Sequence, residues 1–157
     1  MPATRINHTS IVANSLDESA RFYEELFGME RIATAKFPDP VLWLRAGTSQ
    51  LHLFEADETA TLRAHVSFDV DDFDALYAKA KEMGILDSSA FGAPLRRHPA
   101  GWVQLYLRDP AGNLVEVDWA DVSSLSAETL AEASELGGQQ GEAATATLFT
   151  AQERLTG

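Results

Sequence analysis

The sequence predicts an α+β fold of two tandem βαβββ modules, whose strands form a curled mixed sheet around a central concave site. The main observation is an internal repeat. A histidine-bearing strand followed by an amphipathic helix occurs in residues 6–29 and again in residues 64–85. After each copy, short apolar runs separated by turn residues indicate further strands. The repeat therefore predicts two modules with the same order of elements.

The strand and the helix of the two copies correspond nearly position by position. His8 precedes Gly28 by twenty residues, and His65 precedes Gly84 by nineteen. Each helix follows an acidic turn suited to N-capping and is followed by its glycine, a residue that readily adopts the left-handed conformation ending many helices. Chance similarity between two ordinary α+β halves would not place helices, turns and histidines in the same register.

Two strands joined by a turn follow the helix of each module. The segment Asp109-Pro110-Ala111-Gly112 is a strong turn signal, because proline presets φ at the second turn position and glycine accepts a positive φ. The strands are expected at residues 41–45 and 50–54 in the first module and at 102–108 and 114–119 in the second, with weaker strands near 31–37 and 90–97.

A chain of 157 residues has the length of one domain. We expect the two modules to cover residues 5–57 and 63–121 and to form a single domain over residues 1–121. The remaining residues, 122–157, differ in composition and are expected to form a helical and flexible tail.

The tail contains one capping signal and one break. Ser126 is suited to cap a short helix that continues to about residue 136, and the glycine-rich residues 137–141 indicate a flexible break. Residues 143–150 are small and polar, and we expect them to form a peripheral element packed on the sheet or on a second subunit.

Composition excludes several classes of function. Twelve Lys and Arg against twenty-four Asp and Glu give a formal net charge of −12, which argues against nucleic acid and anionic membranes as partners. The absence of cysteine excludes disulfides, zinc–thiolate sites and thiol nucleophiles. Residues 1–5 lead directly into a strand pattern without a signal-like apolar run, so a cytoplasmic protein is expected.

The four histidines are the main candidates for chemistry. His8 and His65 occupy equivalent places in the first strands of the two modules, and His98 lies in a later loop. His52 lies in the last strand of the first module, where the second module has Glu116. A pseudo-twofold relation between the modules predicts that their first and last strands meet at the centre of the concave face.

The residue types at these positions indicate a metal site. Glu116 lies between Val115 and Val117, whose side chains face the other way, and a carboxylate on the inner face of an apolar strand is costly unless it is paired or bound to a metal. Two imidazoles and one carboxylate with open positions suit Fe(II) or Mn(II). A single strand histidine is more often a hydrogen-bonded core residue, but several at repeat-equivalent positions favour metal binding.

Over residues 5–121 the chain resembles the vicinal oxygen chelate superfamily, which includes glyoxalase I, methylmalonyl-CoA epimerase, fosfomycin resistance enzymes, bleomycin-binding proteins and type I extradiol catechol dioxygenases. Residues 22–29, Phe-Tyr-Glu-Glu-Leu-Phe-Gly-Met, are similar to the usual first helix of that superfamily. Glyoxalase I-like members carry a carboxylate at the position of His52, and epimerase-like members carry a glutamine. With a histidine at this position, the chain instead resembles the extradiol dioxygenases.

A second segment carries the resemblance to the dioxygenases. The pair Arg97-His98 precedes a Tyr-x-x-Asp-Pro-x-Gly motif that begins at Tyr106 and leads, ten residues later, to Glu116. The resemblance implies that His8, His65 and Glu116 bind Fe(II), with Mn(II), Zn(II) or Ni(II) as other possible ions.

The resemblance also implies roles for the remaining residues. His52 would move protons to and from a catechol-like aromatic substrate that reacts with O2. His98 and Tyr106 would hydrogen-bond the substrate oxygens, although from the residues alone Tyr106 is also compatible with a core tyrosine and His98 with an exposed loop residue. The substrate-contacting residues would be Trp43, Arg97 and Trp102, with Arg96 as a further candidate.

The expected activity is therefore that of a one-domain, metal-dependent extradiol ring-cleaving dioxygenase. Two alternatives stay open. One is a glyoxalase I-like or epimerase-like lyase or isomerase, in which a divalent metal polarises a carbonyl. The other is a metal-free protein that binds a drug in the same groove. A homodimer is expected, because curled sheets of this kind leave an apolar edge that residues 122–157 could help to cover.

Overall fold

The computed structural model describes residues 6–58 and 60–135, and it has two βαβββ modules in tandem. The predicted α+β class and the predicted order of elements are confirmed. The elements of the first module are β1 (His8–Ala13), α1 (Leu16–Phe27), β2 (Glu30–Ile32), β3 (Val41–Ala46) and β4 (Ser49–Glu55). Those of the second are β5 (His65–Asp69), α2 (Phe73–Met83), β6 (Leu95–Arg97), β7 (Val103–Arg108) and β8 (Leu114–Trp119).

Each module contributes its own sheet, with strand orders β1-β4-β3-β2 and, including a tail strand β9 (Ser134–Glu135), β5-β8-β7-β6-β9. In both sheets the first and last strands of the module pair in parallel, and the strands between them are antiparallel. His52 lies opposite Ser10 on β1, and Glu116 lies opposite Ser67 on β5. His52 and Glu116 therefore hold equivalent positions in the two sheets.

Local signals explain where the two main helices begin and end. Ser15 caps α1 and Asp72 caps α2, each accepting a hydrogen bond from the main-chain N–H three residues further on. Gly28 and Gly84 end these helices with φ of 62° and 68°, the left-handed conformation that glycine adopts at little cost. None of the helices in the described ranges is long and apolar enough to cross a membrane.

β2 and β6 are shorter than the sequence predicts, because a side-chain contact replaces further pairing after β2 and a turn precedes β6. Beyond β2, the Thr34 hydroxyl accepts the Trp43 N–H at 3.0 Å, where a longer strand would offer a main-chain carbonyl. Before β6, the chain turns at Gly92, whose φ is 88° and whose N–H donates to the Ser88 carbonyl at 2.8 Å. Three residues of each strand remain paired.

The helix of the tail begins at the predicted cap, but it is shorter than predicted and is followed by a strand. After a 3₁₀ helix (Val122–Ser124), Ser126 caps α3 (Ala127–Glu132) by accepting the Thr129 N–H at 3.2 Å. The helix ends before residue 136 because the chain then extends and pairs as β9 in parallel with β6. The expectations for residues 1–5, 137–141 and 143–150 lie outside the described residues.

The chain divides into two compact units, each with its own packed interior. Of the described residues, the first unit takes in those up to Ala64 together with the turn Asp109–Asn113, and the second takes in His65–Arg108 and those from Leu114 to Glu135. Fully buried side chains of the first unit include Tyr23, Leu44, Leu51 and Leu53; those of the second include Phe73, Leu95, Leu105, Leu107, Val115 and Val117.

The turn Asp109–Asn113 shows why the Asp-Pro-x-Gly signal is strong. The buried Asp109 carboxylate accepts the N–H groups of Ala111 and Asn113 at 3.0 and 2.8 Å, and the Tyr23 hydroxyl donates to it at 2.9 Å. The Asn113 side chain donates to the Val12 carbonyl at 2.7 Å. Burial, reinforced by Asp109, raises the pKa of Tyr23 well above its ordinary value. Within the first unit this turn is therefore held by side chains of α1 and by the main chain of β1.

Replacing Asp87 by Asn is expected to lower the free energy of unfolding at about pH 7 by about 1–3 kcal/mol. Burial works to raise the pKa of Asp87, but hydrogen bonds from Ser89, Ala90 and Arg108 outweigh burial and lower it. A carboxyl with a depressed pKa in the folded state stabilises the protein above its unfolded-state pKa and loses this effect as the pH falls through the folded pKa. Urea unfolding at about pH 7 and about pH 3 checks the prediction. If Asp87→Asn lowered the free energy of unfolding by the same amount at both pH values, the prediction would be contradicted.

Candidate active site

Three aromatic rings of the first unit form a continuous stack. The Trp43 and His52 ring centroids are 4.4 Å apart at an interplanar angle of 7°, and those of His52 and His8 are 4.2 Å apart at 13°. The stack follows from the sheet, because β3, β4 and β1 are neighbours and Trp43 lies directly opposite His52. His52, at the centre, is only 7% exposed, and His8 is exposed.

The surroundings of His52 favour its neutral form. Burial lowers the pKa of His52, and the neighbouring His8 lowers it further. His52 Nε2 lies 2.8 Å from Gln50 Oε1, an oxygen that accepts hydrogen bonds only, so the imidazole N–H is on Nε2 and Nδ1 carries the lone pair. A neutral imidazole with a fixed tautomer is suited to accept and return a proton.

The second unit brings a histidine and a carboxylate together at the matching positions. His65 Nε2 lies 3.3 Å from Glu116 Oε2, and the Glu116 side chain is buried. The Gln104 side-chain amide donates to the other oxygen, Oε1, at 2.7 Å. The His65 ring packs edge-on against Phe91 and Tyr106, with centroid distances of 6.1 and 6.5 Å. Glu116 is thus held from two sides.

A second buried carboxyl, Asp118, lies on the same face of β8 as Glu116. The Ser67 hydroxyl donates to Asp118 Oδ2, and Asp118 Oδ1 is buried without a hydrogen-bond partner among the described residues. Burial, offset only in part by the Ser67 hydrogen bond and reinforced by the charge of Glu116, raises the pKa of Asp118 to about 7. This strand therefore carries two buried acidic side chains on one face.

Tyr106 and His98, both predicted to contact substrate oxygens, are buried. Tyr106 lies directly opposite Glu116, and its ring packs on Phe91 at 4.6 Å. Burial, reinforced by the charge of Glu116, raises the pKa of Tyr106, so its hydroxyl keeps its proton. The position opposite Glu116 is the one that Trp43 holds opposite His52 in the other sheet.

The structure places His98 within its own loop, so it is not an exposed loop residue. Its ring stacks on Trp102 with centroids 4.0 Å apart at 4°, and its Nδ1 accepts the Ala100 N–H at 3.1 Å. The His98 N–H donates to the Trp102 carbonyl at 2.8 Å. These contacts account for the burial of His98, and a catalytic role for it stays a prediction.

The predicted substrate-contacting residues have other partners in the structure. Arg97 Nη1 lies 3.5 Å from Glu135 Oε1, so this guanidinium pairs with the tail strand β9. Trp102 stacks on His98, and Trp43 stacks on His52. The buried Trp43 Nε1 has no hydrogen-bond partner among the described residues. Contact of these three side chains with substrate stays a prediction.

The residues expected to bind a metal lie in both units. Within residues 6–58 and 60–135, no three His, Asp or Glu side chains are grouped as a metal ion would require. Of the three predicted ligands, His8 lies in the first unit, stacked on His52, and His65 and Glu116 lie beside each other in the second. Their chemistry fits a divalent ion, because imidazole nitrogen and carboxylate oxygen are ligands that such ions take in proteins.

Sequence reasoning missed Gln50, Ser67, Gln104 and Asp118. The alternation that singled out Glu116 extends two residues further to Asp118, so this residue could have been found in the sequence. Gln50, Ser67 and Gln104 carry no such signal, because their partners depend on the register between strands.

Comparison with known proteins identifies related sequences and folds. A model of the glyoxalase/bleomycin resistance protein/dioxygenase superfamily matches residues 5–117. Glyoxylase I 4 of Arabidopsis thaliana is 28% identical over 126 residues, which are 73% of this chain and 70% of that protein.

Solved structures show the same fold. The crystal structure of lactoylglutathione lyase from Agrobacterium tumefaciens is similar at a TM-score of 0.59 and 27% identity, covering 80% of this chain and all of the other. The fosfomycin resistance protein FosX of Listeria monocytogenes reaches a TM-score of 0.61 at 17% identity, covering 74% of this chain and 91% of FosX. A FosX mutant has been solved with Mn(II) and a dihydroxypropylphosphonic acid. At that identity the likeness to FosX concerns the fold alone.

Proposed function

Because the chain belongs to the glyoxalase/bleomycin resistance protein/dioxygenase superfamily, we propose that it is a metal-dependent lyase or isomerase of the glyoxalase I type. Its substrate in this proposal is a small molecule with two adjacent oxygen atoms. The relatives at 27–28% identity, named as a glyoxylase and a lactoylglutathione lyase, support this reading over the extradiol dioxygenase that the sequence motifs predict.

The observation that carries the proposal is the equivalence of polar positions in the two sheets. His8 and His65 begin β1 and β5, and His52 and Glu116 face the matching serines on these strands. In the proposal His8, His65 and Glu116 hold a divalent ion, and Fe(II), Mn(II), Zn(II) and Ni(II) are its candidates. When bound, such an ion supplies Lewis acidity toward a substrate oxygen.

His52 is the proton-transfer residue in this proposal. The lowered pKa of His52 leaves its ring neutral near neutral pH. The contact of Nε2 with Gln50 Oε1 keeps the N–H on Nε2 and the lone pair on Nδ1. Stacking between Trp43 and His8 holds the plane of the ring. Nδ1 therefore accepts a proton from the substrate and returns it, without a change in the orientation of the ring.

The surroundings of Glu116 restrict the access of water. Tyr106 is buried opposite it, and Phe91 packs on the Tyr106 ring. Because the Tyr106 hydroxyl keeps its proton, it acts as a hydrogen-bond donor rather than as a base. In a low-dielectric surrounding of this kind, the charge of Glu116 interacts more strongly with a cation than it would in water.

A second candidate is the extradiol dioxygenase with Fe(II), and one observation favours it. The position of His52 holds a histidine, whereas glyoxalase I-like members of the superfamily carry a carboxylate there. Trp43, stacked on this histidine, is a flat apolar surface that suits an aromatic substrate. In this reading His52 has the same proton-transfer role.

Metal analysis followed by two assays tests the proposal. Protein purified without chelator is analysed for metal and then loaded anaerobically with each candidate ion. We expect about one ion per chain and chelator-sensitive turnover in a lactoylglutathione lyase assay. Oxygen consumption with a panel of catechols would favour the dioxygenase instead. Protein that binds none of the ions would favour a metal-free binding protein.

Assembly and domain extent are further parts of the proposal. We expect residues 1–121 to act as one domain and two chains to form a homodimer. Sedimentation at micromolar concentration checks the assembly, and a species of monomer mass alone would contradict it.

A further inference from the structure

Arg96 lies on the face of the second sheet that carries the buried acidic groups. It pairs with Gln104 on β7, and Gln104 pairs in turn with Asp118 on β8. Paired residues point to the same face of a sheet, so Arg96 shares a face with Asp118 and with Glu116 two residues before it. The neighbouring Arg97 points to the opposite face. Arg96 is half-buried in this position.

The acidic groups of this face have partners other than Arg96. Hydrogen bonds join the carboxyls of Glu116 and Asp118 to each other and to side chains on the same face, Ser67, Gln104 and Tyr106. His65 Nε2 also lies 3.3 Å from Glu116 Oε2. Strand β7 lies between β6 and β8, which puts the main chain of Arg96 two strand spacings, about 10 Å, from that of the two acids. The carboxyls therefore do not depend on the guanidinium.

The guanidinium of Arg96 makes no hydrogen bond or ion pair among residues 6–58 and 60–135. The other arginines of these ranges each contact another group, namely Arg21, Arg31, Arg45, Arg63, Arg97 and Arg108. Burial and the charge of Glu116 raise the pKa of Tyr106, and Arg96 is close enough for its charge to oppose them. A half-buried cation that gains no partner in exchange for its lost hydration costs free energy. Arg96 is therefore a cation near Tyr106 whose N–H donors are unused within these ranges.

The first module shows that the fold itself does not require an arginine at this place. Trp43 holds the position in the first sheet that Tyr106 holds in the second. Counted from Trp43 as Arg96 is counted from Tyr106, the register of β2 and β3 leads to Thr34. Thr34 fills the place with a short neutral side chain, whose hydroxyl accepts the Trp43 N–H. The charge of Arg96 therefore serves something other than folding.

We propose that Arg96 binds an oxyanion of the substrate, such as a carboxylate, and thereby determines which substrates the protein accepts. The inference rests on the proposed function and adds an anionic group to the substrate class named there. A guanidinium presents two parallel N–H donors that match the two oxygens of a carboxylate. Glu116 and Asp118 repel an anion, so the oxyanion lies on the β6 side of the face, in direct contact with Arg96.

Equilibrium binding of two matched probes to the full chain tests the inference. Protocatechuate and its amide share one ring with two adjacent oxygen atoms, and only protocatechuate has a negatively charged carboxylate. Anaerobic calorimetry gives the affinity for each probe, both with protein loaded with Mn(II) and with metal-free protein. The readout is the ratio of the two affinities, because contributions that the probes share cancel in this ratio.

Two variants accompany wild type. Arg96→Thr removes the guanidinium and introduces the residue type that the fold accepts at the equivalent position of the first module. Arg45→Thr is the matched control, because it removes an exposed arginine, which pairs with Glu30 at 3.4 Å, and changes the net charge by the same amount. Thermal unfolding shows whether each variant is folded.

We expect wild type to bind protocatechuate about 10–100-fold more tightly than the amide, the effect of hydrogen bonds to a charged group. In Arg96→Thr the ratio should fall to about one, because the donors that distinguish the two probes are gone. Arg45→Thr should keep the wild-type ratio.

A ratio near one in wild type, or no binding of protocatechuate, would overturn the inference, and so would a wild-type ratio in folded Arg96→Thr. An equal fall in Arg45→Thr would also overturn it, because the effect would then be one of net charge. If Arg96→Thr does not fold, Arg96→Gln decides by the same criterion. Wild-type protein that takes up no divalent ion would contradict the proposed function, and the ratio measured on metal-free protein then decides on Arg96 alone.

Discussion

Replacing Glu116 by Ala is expected to abolish stoichiometric metal binding. The substitution removes the only carboxylate of the proposed ligand set and leaves His65 without its 3.3 Å neighbour. Loss of a ligand should exceed the effect of losing a partner of a ligand, so we expect affinity to fall by more than about 100-fold. Metal content after dialysis, measured by mass spectrometry beside wild type, checks the prediction.

The control for this variant is Glu82→Ala, which removes an exposed carboxylate from α2 and should leave the metal content unchanged. Thermal unfolding of the metal-free proteins shows whether Glu116→Ala is folded. A folded Glu116→Ala protein that retains the metal content of wild type would exclude Glu116 from the ligand set.

Replacing His52 by Gln is expected to slow turnover by about 10²–10⁴-fold and to leave the metal bound, because the loss of a positioned proton-transfer group has this magnitude. Glutamine preserves a polar side chain beside Gln50 but does not take up a proton near neutral pH. Metal content and steady-state rates of the same preparation check both parts.

The neighbouring histidine of the stack provides the comparison for this variant. His8→Gln should lose the metal, whereas His52→Gln should keep it, although the two rings are only 4.2 Å apart. Loss of metal from His52→Gln would instead make His52 a fourth ligand. Its role as the proton-transfer residue would then be abandoned.

The tandem modules could be predicted from the sequence because their signals are local and occur twice. The caps at Ser15 and Asp72, the glycines that end the helices and the Asp109–Asn113 turn each act within a few residues. The ends of β2 and β6 could not be predicted in the same way. The end of β2 depends on the contact of Thr34 with Trp43 on another strand, and β6 begins only after the turn at Gly92.

The candidate site could be predicted in part. Alternation along β8 marks Glu116 as a buried carboxylate, and the repeat relates it to His52. The contact of Gln104 with Glu116 depends on the cross-strand register between β7 and β8, which spacing along one strand does not reveal. The stacking of His98 on Trp102 likewise depends on the conformation of the loop that joins them.

Nitrogen NMR of the four histidine rings during a Zn(II) titration tests the central claim most directly, because it follows both modules in one experiment. The account predicts that the ring signals of His8 and His65 shift together, with one common midpoint at about one ion per chain. In Glu116→Ala neither signal should shift under the same conditions. A shift confined to one of these two histidines, or two separate midpoints, would contradict a single metal site shared by the two modules.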